Sequence, residues 1–180
     1  MVRLADLPEW DRRGKLEKVK ELTGFDARPW VEPPPLARCR IAIVTTAGLH
    51  RKVDRPFGPS ATDYRIIPGD TPAAELIMSH QSVNFDRTGF QEDHNVVFPI
   101  DRLNELARLQ FIGSVAAYHY SFMGATQIRQ LETKARELAG LLKQDRVDAV
   151  FCLNFQFLER VKIPGVDHQR LFTDHICPCP

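Results

Sequence analysis

The stretch from Arg40 to Thr46, RIAIVTT, constrains the fold more than any other part of the chain. It is continuously apolar in its middle and rich in β-branched residues, so it has no face to offer water. A strand of this kind is expected where both faces are covered, as in a parallel sheet between helices. A covering helix lies downstream. In TQIRQLETKARELAGLLKQ, which opens at Thr126, Ile128, Leu131, Ala135, Leu138, Leu141 and Leu142 form one apolar stripe with the charges elsewhere. Arg146 to Leu153, RVDAVFCL, follows as a second buried strand and completes a strand, helix, strand unit. The expected architecture is a three-layer α/β domain: a mostly parallel sheet flanked by helices, with strands near 41–46, 115–121 and 147–153.

The segment Phe98 to Gly124, FPIDRLNELARLQFIGSVAAYHYSFMG, supplies the other half of the domain. Pro99 discourages an earlier helix start, and Asp101 is suited to accept hydrogen bonds from the N–H groups of a first turn. Leu103, Leu106, Ala107 and Phe111 recur on one face, and Gly113 is the natural stop because it takes positive φ without strain. Ser114 to Met123 then reads as a strand that ends in Met123-Gly124-Ala125-Thr126 before the long helix. Backbone N–H groups gather at such a junction, so it could hold an anion or a substrate carboxylate.

A chain of 180 residues with 43% hydrophobic side chains has the size of one domain with a single core. Lys and Arg number 24 against 23 Asp and Glu, so net charge gives no reason to expect nucleic acid or an anionic membrane surface. No run approaches the roughly 20 apolar residues that cross a bilayer, and MVRLADLPEWDRR lacks a secretory core, so a cytoplasmic location is expected. Residues 1–35 read as an amphipathic helical arm, with Leu7, Trp10, Leu16, Val19 and Leu22 near helical spacing, followed by the linker Pro33 to Pro35. Residues 36–180 form the α/β domain. Its N-terminal arm is expected to pack on the body or on a partner subunit.

Between the main elements, Leu49 to Ser60 reads as a surface loop and Tyr64 to Ile67 as a short strand closed by Pro68-Gly69. Asp70-Thr71-Pro72 reads as the entry to a brief helix from Ala74 to Met78. The polar run from Gln81 to Asn95 reads as a long loop, of a kind more often functional than decorative. A central parallel strand delivers its chain to the carboxyl edge of the sheet, where open α/β folds bind ligands. Thr45, Thr46, Gly48 and His50 are therefore placed for function, against the plainer alternative that the two threonines only cap the loop.

The six histidines show no His-x-His or His-x3-His spacing, and the four cysteines no Cys-x2-Cys, so no metal site is expected. His80 and His94 sit in a polar loop with Asp86 and Asp93 that could tune an imidazole for proton transfer. The cysteines are too sparse and unevenly spaced for a disulfide-stapled module and are expected as thiols. Cys152 ends a strand at the carboxyl edge, where an α/β enzyme would place a nucleophilic thiol. Phe151, Leu153 and Phe155 around it would instead keep a thiol protonated and inert unless a cation or helix start lay near, so a plain buried cysteine is the alternative. Cys177-Pro-Cys179 could form a strained redox disulfide, take a metal with outside help, or be a frayed tail.

Four runs together, IAIVTTAGLH at 41–50, DTPAAELIMSH at 70–80, FPIDRLNEL from Phe98 and IGSVAAYHYSFMG to Gly124, resemble the selenoprotein B family of the glycine, sarcosine, betaine and D-proline reductases. The resemblance runs from residue 36 to about 151 and is greatest to the small, D-proline-reductase-like members. It implies an α/β fold and a cytoplasmic reductase in which selenocysteine or cysteine attacks the substrate and a C–N-type bond is cleaved with dithiol electrons. In that family the reactive residue follows the strand matching Val147 to Leu153, commonly with a second cysteine three residues later. Here the chain reads CLNFQFLERVKIPG after Phe151, without that second cysteine, and Cys152 lies close to the reactive position. A truncation, a frame change or a misread selenocysteine codon would produce such an ending, and the nucleotide sequence beyond codon 151 tests this.

On this resemblance Cys152 is the expected nucleophile, and His50 and His80 are the expected groups that lower its pKa. Thr45, Thr46, Gly48, Ser79, Met123, Gly124 and Thr126 are expected around the substrate. No cofactor is implied. The expected partners are a small-molecule substrate, a thiol electron donor and further subunits of a homo- or hetero-oligomer. The competing expectation is a binding or assembly subunit that keeps the fold without a competent thiol.

Overall fold

The computed structural model describes residues 4–20, 33–82, 85, 87–153 and 176–178. Its elements in chain order are α1 (Glu9–Lys20), β1 (Arg40–Thr45), β2 (Leu49–Arg51), β3 (Arg65–Pro68), β4 (Leu76–Met78) and α2 (Thr88–Glu92). They continue with α3 (Ile100–Arg108), β5 (Ser114–Val115), β6 (Tyr118–Ser121), α4 (Ile128–Gln144), β7 (Ala149–Leu153) and β8 (Ile176–Pro178). The main sheet runs β3-β6-β1-β7-β8, with β5 also paired to β1. β5, β6 and β7 are parallel to β1, while β3 and β8 are antiparallel. The expected mostly parallel α/β sheet is therefore present, with RIAIVT at its centre.

Both faces of β1 are covered. Ile41 and Ile43 join Ile100, Leu103 and Phe98 in a core on the α3 side, whereas Ala42 joins Leu138, Leu142 and Val150 in a core on the α4 side. This alternation along one strand accounts for its unbroken apolar sequence. β1 leads through α3 to β6 on one flank, and β6 leads through α4 to β7 on the other. The chain thus reverses direction across the sheet at β1, and such a switch point opens a crevice at the carboxyl ends of the strands.

The strand expected over 115–121 is broken. Three residue steps along β1, from Ile41 to Val44, span the same distance as five steps from Val115 to Tyr120, so residues 116–119 bulge. Side chains repair the ladder. The Ile43 N–H donates to Nδ1 of His119 at 3.0 Å, and the Ala117 N–H donates to Asp145 Oδ2 at 3.2 Å. Arg40 locks the same edge, donating to Asp145 Oδ1 at 2.6 Å and to the Val115 carbonyl at 3.2 Å.

Several local expectations are corrected. Ala73–Glu75 is one turn of 3-10 helix, and the segment expected as helix to Met78 is strand β4. β4 pairs with β2, which lies in what read as a surface loop: Leu76 and Leu49 are apolar enough to bury an antiparallel pair. The run expected as one long loop from Gln81 contains α2 and a 3-10 turn at His94–Val96. Asp101 does not cap α3; Pro99 holds that position, and Asp101 accepts from Asn95 Nδ2 at 3.0 Å. Phe111 does not extend the apolar face but is 60% exposed. Trp10 in α1 is 77% exposed, so the described body of this chain does not cover it.

Gly113 is also not the residue that stops α3. The left-handed residue is Gln110, with φ 57°, and the Phe111 N–H closes the turn on the Leu106 carbonyl at 2.9 Å. Gly113 is needed for space: a Cβ there would lie 2.6 Å from the carbonyl carbon of Arg38 and 2.8 Å from its oxygen. Its N–H donates to the carbonyls of Leu36 and Cys39, both at 3.0 Å, so backbone crosses backbone and neither side can yield by a rotamer change. Gly113→Ala is expected to cost about 3 kcal/mol. In thermal unfolding this should appear as a fall of the midpoint by about 10 °C. An unchanged midpoint would contradict the close crossing.

Candidate functional site at the carboxyl edge

β1, β6 and β7 end together, and the chain segments leaving β1 and β6 are tied by backbone bonds. The Phe122 N–H donates to the Thr45 carbonyl at 2.9 Å, the Gly124 N–H to the Thr46 carbonyl at 2.9 Å, and the Gly48 N–H to the Phe122 carbonyl at 3.0 Å. Thr46 also faces β7, its N–H and Oγ1 donating to the Leu153 carbonyl at 3.0 and 3.3 Å. One residue thereby joins the ends of three strands.

The loop from β4 closes over this junction. The Ser79 N–H donates to the Gly48 carbonyl at 3.0 Å, and Gly48 has φ +66°, a conformation that favours glycine. A Cβ at Gly48 would lie 3.1 Å from the His80 backbone nitrogen, and one at Gly124 would lie 2.7 Å from the Thr46 carbonyl and 3.1 Å from His80 Nε2. Both glycines therefore permit His80 to sit against the strand ends. Its ring stacks on Phe85 with centroids 4.4 Å apart, and Arg87 donates to its backbone carbonyl.

Burial, with the nearby Arg87 guanidinium as the lesser cause, pushes the His80 imidazole down to about 4. The ring is therefore neutral at neutral pH. Because the Ser82 N–H donates to Nδ1 at 3.1 Å, the proton resides on Nε2, which makes no hydrogen bond among the described residues. In His50 the assignment is reversed. Nδ1 lies 2.8 Å from the Arg51 carbonyl, which can only accept, so Nδ1 carries the proton.

Six residues expected at the site, Thr46, Gly48, Ser79, His80, Met123 and Gly124, do come together. Most of the expected hydroxyls serve the loops themselves. Thr45 is fully buried, and its Oγ1 accepts from the Ala47 N–H at 3.2 Å; Ser79 Oγ accepts from the Phe57 N–H at 3.0 Å. Thr126 Oγ1 donates to the Ala61 carbonyl at 2.7 Å, while Met123 is fully buried. His50 lies on β2 opposite Ile77.

Cys152 is exposed, unlike the buried cysteine considered as its alternative. It is registered beside Val44, on the α4 side, whereas His80 packs with Phe85 on the α3 side. The sheet thus divides the expected thiol from one of its expected histidines. Sequence reasoning gave no role to His119, Phe85 or Arg87. A histidine between two tyrosines in YHYS was the available signal for His119, while the stacking partner of His80 depends on how a polar loop folds back.

Among the described residues no group of histidines, cysteines and carboxylates could hold a metal ion, and no helix is long and apolar enough to cross a membrane. Cys179 and residues 154–175 lie outside the described part, as does the side chain of Cys177, so the expectations for the Cys177-Pro-Cys179 tail and for the ending after Leu153 fall outside it too.

The geometry defines an α/β domain in which strand ends and glycine loops meet at the carboxyl edge of a parallel sheet. Residues 20–154 match the family described as glycine/sarcosine/betaine reductase selenoprotein B, and the chain belongs to that family. It is 34% identical to the D-proline reductase subunit gamma of Acetoanaerobium sticklandii over 131 residues, 67% of this chain and 53% of that protein. It is also 34% identical to the glycine reductase complex component B subunit gamma of Symbiobacterium thermophilum over 139 residues, 72% of this chain and 32% of the relative. The sarcosine reductase complex component B subunit beta of Peptoclostridium acidaminophilum is 32% identical over 146 residues, covering 76% and 33% respectively. The chain thus spans about half the length of the first relative and about a third of the other two. No solved structure matches it.

Proposed function

We propose that this chain is a subunit of a thiol- or selenol-dependent reductase complex that works in the cytoplasm on a small amino-acid-like substrate, with Cys152 as the attacking thiol. The observation that carries the reading is the exposure of Cys152 at the carboxyl end of β7, one residue before the carbonyl that Thr46 holds, in a chain of this family. In the proposed step a thiolate attacks the carbon bearing the substrate nitrogen. The C–S bond forms as the C–N bond breaks, and nitrogen leaves with the bonding pair and takes a proton. A dithiol then attacks the sulfur, the C–S pair passes to carbon, which is protonated, and closure of the dithiol to a disulfide returns the Cys152 thiolate.

The junction of Thr45, Thr46 and Gly48 with Ser79, Met123, Gly124 and Thr126 forms the wall of the substrate site in this reading, and His50 and His80 are the N–H-bearing groups of that wall, His80 across the sheet from the thiol. Residues 1–35 act as an arm for a neighbouring subunit, supported by the exposure of Trp10, and residues 36–180 form the reductase-like domain. The test is turnover of the purified complex with dithiothreitol as electron donor and glycine, sarcosine, betaine or D-proline as probe. Oxidation of dithiothreitol that depends on one probe is the expected result; none with any of them would overturn the catalytic assignment.

One observation favours a second reading, a binding or assembly subunit. Cys152 and His80 lie on opposite sides of the sheet, so His80 is not placed to activate the thiol. In that case the chain would be retained in the complex while its thiol could be replaced without loss of turnover.

A further inference from the structure

At the opposite edge of the sheet from the site described above, the bulge at residues 116–119 makes something that a continuous strand would not. It borders a cavity of about 410 Å³ between α3, the turn after β3 and the start of β6. That volume is within the range that small ligands occupy. Ile100, Val115 and Ala116 supply apolar wall, while Asp70, Asn104 and Tyr118 bring polar groups to the rim. The bulge is held by bonds from three side chains: His119 to the Ile43 N–H, Asp145 to the Ala117 N–H, and Arg40 to the Val115 carbonyl.

The polar rim is not occupied in holding the fold together. The Asp70 carboxylate, the Asn104 amide and the Tyr118 hydroxyl make no side-chain hydrogen bond or ion pair among the described residues. Among the described residues Asp70 is the only lining residue with a formal charge, and no lysine or arginine lines the cavity. Behind the rim, His119 is fully buried, and its Nε2 makes no hydrogen bond among the described residues. It lies 3.2 Å from where a Cβ on Gly69 would stand, so Gly69 leaves no room for a side chain there, and His119 itself does not line the cavity. A neutral apolar solute would leave the carboxylate unpaired, and an anion would meet it as a like charge.

We propose that this amino-edge cavity is a second binding site, for a small organic ammonium ion whose charged end pairs with Asp70, whose stem lies on Ile100 and Ala116, and whose far end can hydrogen-bond to Asn104 or Tyr118. The site is separate from the carboxyl-edge junction and does not depend on Cys152. Asp70 is exposed, so the pairing is solvent-screened and binding is weak and selective for charge.

The test uses the full chain, labelled with nitrogen-15 and titrated with butylammonium chloride and, separately, with 1-butanol at constant ionic strength. The expected result is saturable shifts of the Gly69, Ala116, Ala117 and Tyr118 amides with butylammonium, and binding of butanol at least about fivefold weaker. Asp70→Asn is expected to remove that difference, with amides outside the cavity unshifted as the control for folding. The proposal is overturned if those amides do not saturate, if butanol binds as tightly as butylammonium, or if Asp70→Asn binds butylammonium like the native chain.

Discussion

Cys152→Ser is expected to lower dithiol-driven turnover of the assembled complex by at least about a thousandfold, because removing a covalent nucleophile removes the step it performs. Serine is nearly isosteric with cysteine, and Cys152 is exposed, so the substitution disturbs no packed core. The expected loss is therefore in turnover, with the unfolding midpoint and the assembly of the complex unchanged. Turnover equal to the native complex would instead favour the binding or assembly reading.

Acidification is expected to destabilise the domain over a defined window. Burial pushes His80 and His119 each down to about 4 in the folded chain, from an ordinary value of 6.5. For His119 the Arg40 guanidinium adds to the lowering and the Asp145 carboxylate opposes it. Between those two values the unfolded chain binds more protons than the folded one, so stability falls as pH falls. The stability is intact above about pH 6.5, is lost progressively below it, and the loss levels off near pH 4. It amounts to about 3 kcal/mol for His119 and to less for His80, whose ring is more open to solvent screening. Protonation of His119 would also remove the acceptor for the Ile43 N–H, and with it the bond that bridges the bulge. Urea midpoints between pH 7 and pH 4 measure the effect, and a midpoint at pH 4.5 equal to that at pH 7 would contradict it. Removing one contributor in His119→Gln should make the pH dependence shallower.

The centre of the fold was legible because its signal is local. RIAIVTT has one physical solution, burial on both faces, and the stripe from Leu131 to Leu142 has one partner surface to meet, so β1, α4 and β7 follow from the sequence. The two helix ends were less legible. α3 and α4 each pass into a left-handed non-glycine residue, Gln110 and Arg146, where the eye looks for glycine. The bulge was hidden for another reason: Ser114 to Met123 has strand composition throughout, and only the register against β1 shows that it has two residues too many.

At the site, the junction of Thr46, Gly48, Ser79, His80 and Gly124 was legible because strand ends and glycine loops at a sheet's carboxyl edge form a recurring topology. The sidedness of Cys152 was not. It depends on the alternation of side chains along β7, and a change of one residue in register would place the thiol on the α3 side instead. The tautomers of His50 and His80 depend on bonds to Arg51 and Ser82, which become visible only once β2 and the loop after β4 are placed.

The central claim, that Cys152 is a reactive thiol at the carboxyl edge, is tested most directly by its rate of alkylation with iodoacetamide at neutral pH, followed by peptide mass spectrometry beside glutathione as the reference thiol. The account predicts that Cys152 in the native protein is labelled several times faster than glutathione, as an activated thiolate would be. Labelling no faster than glutathione would contradict it.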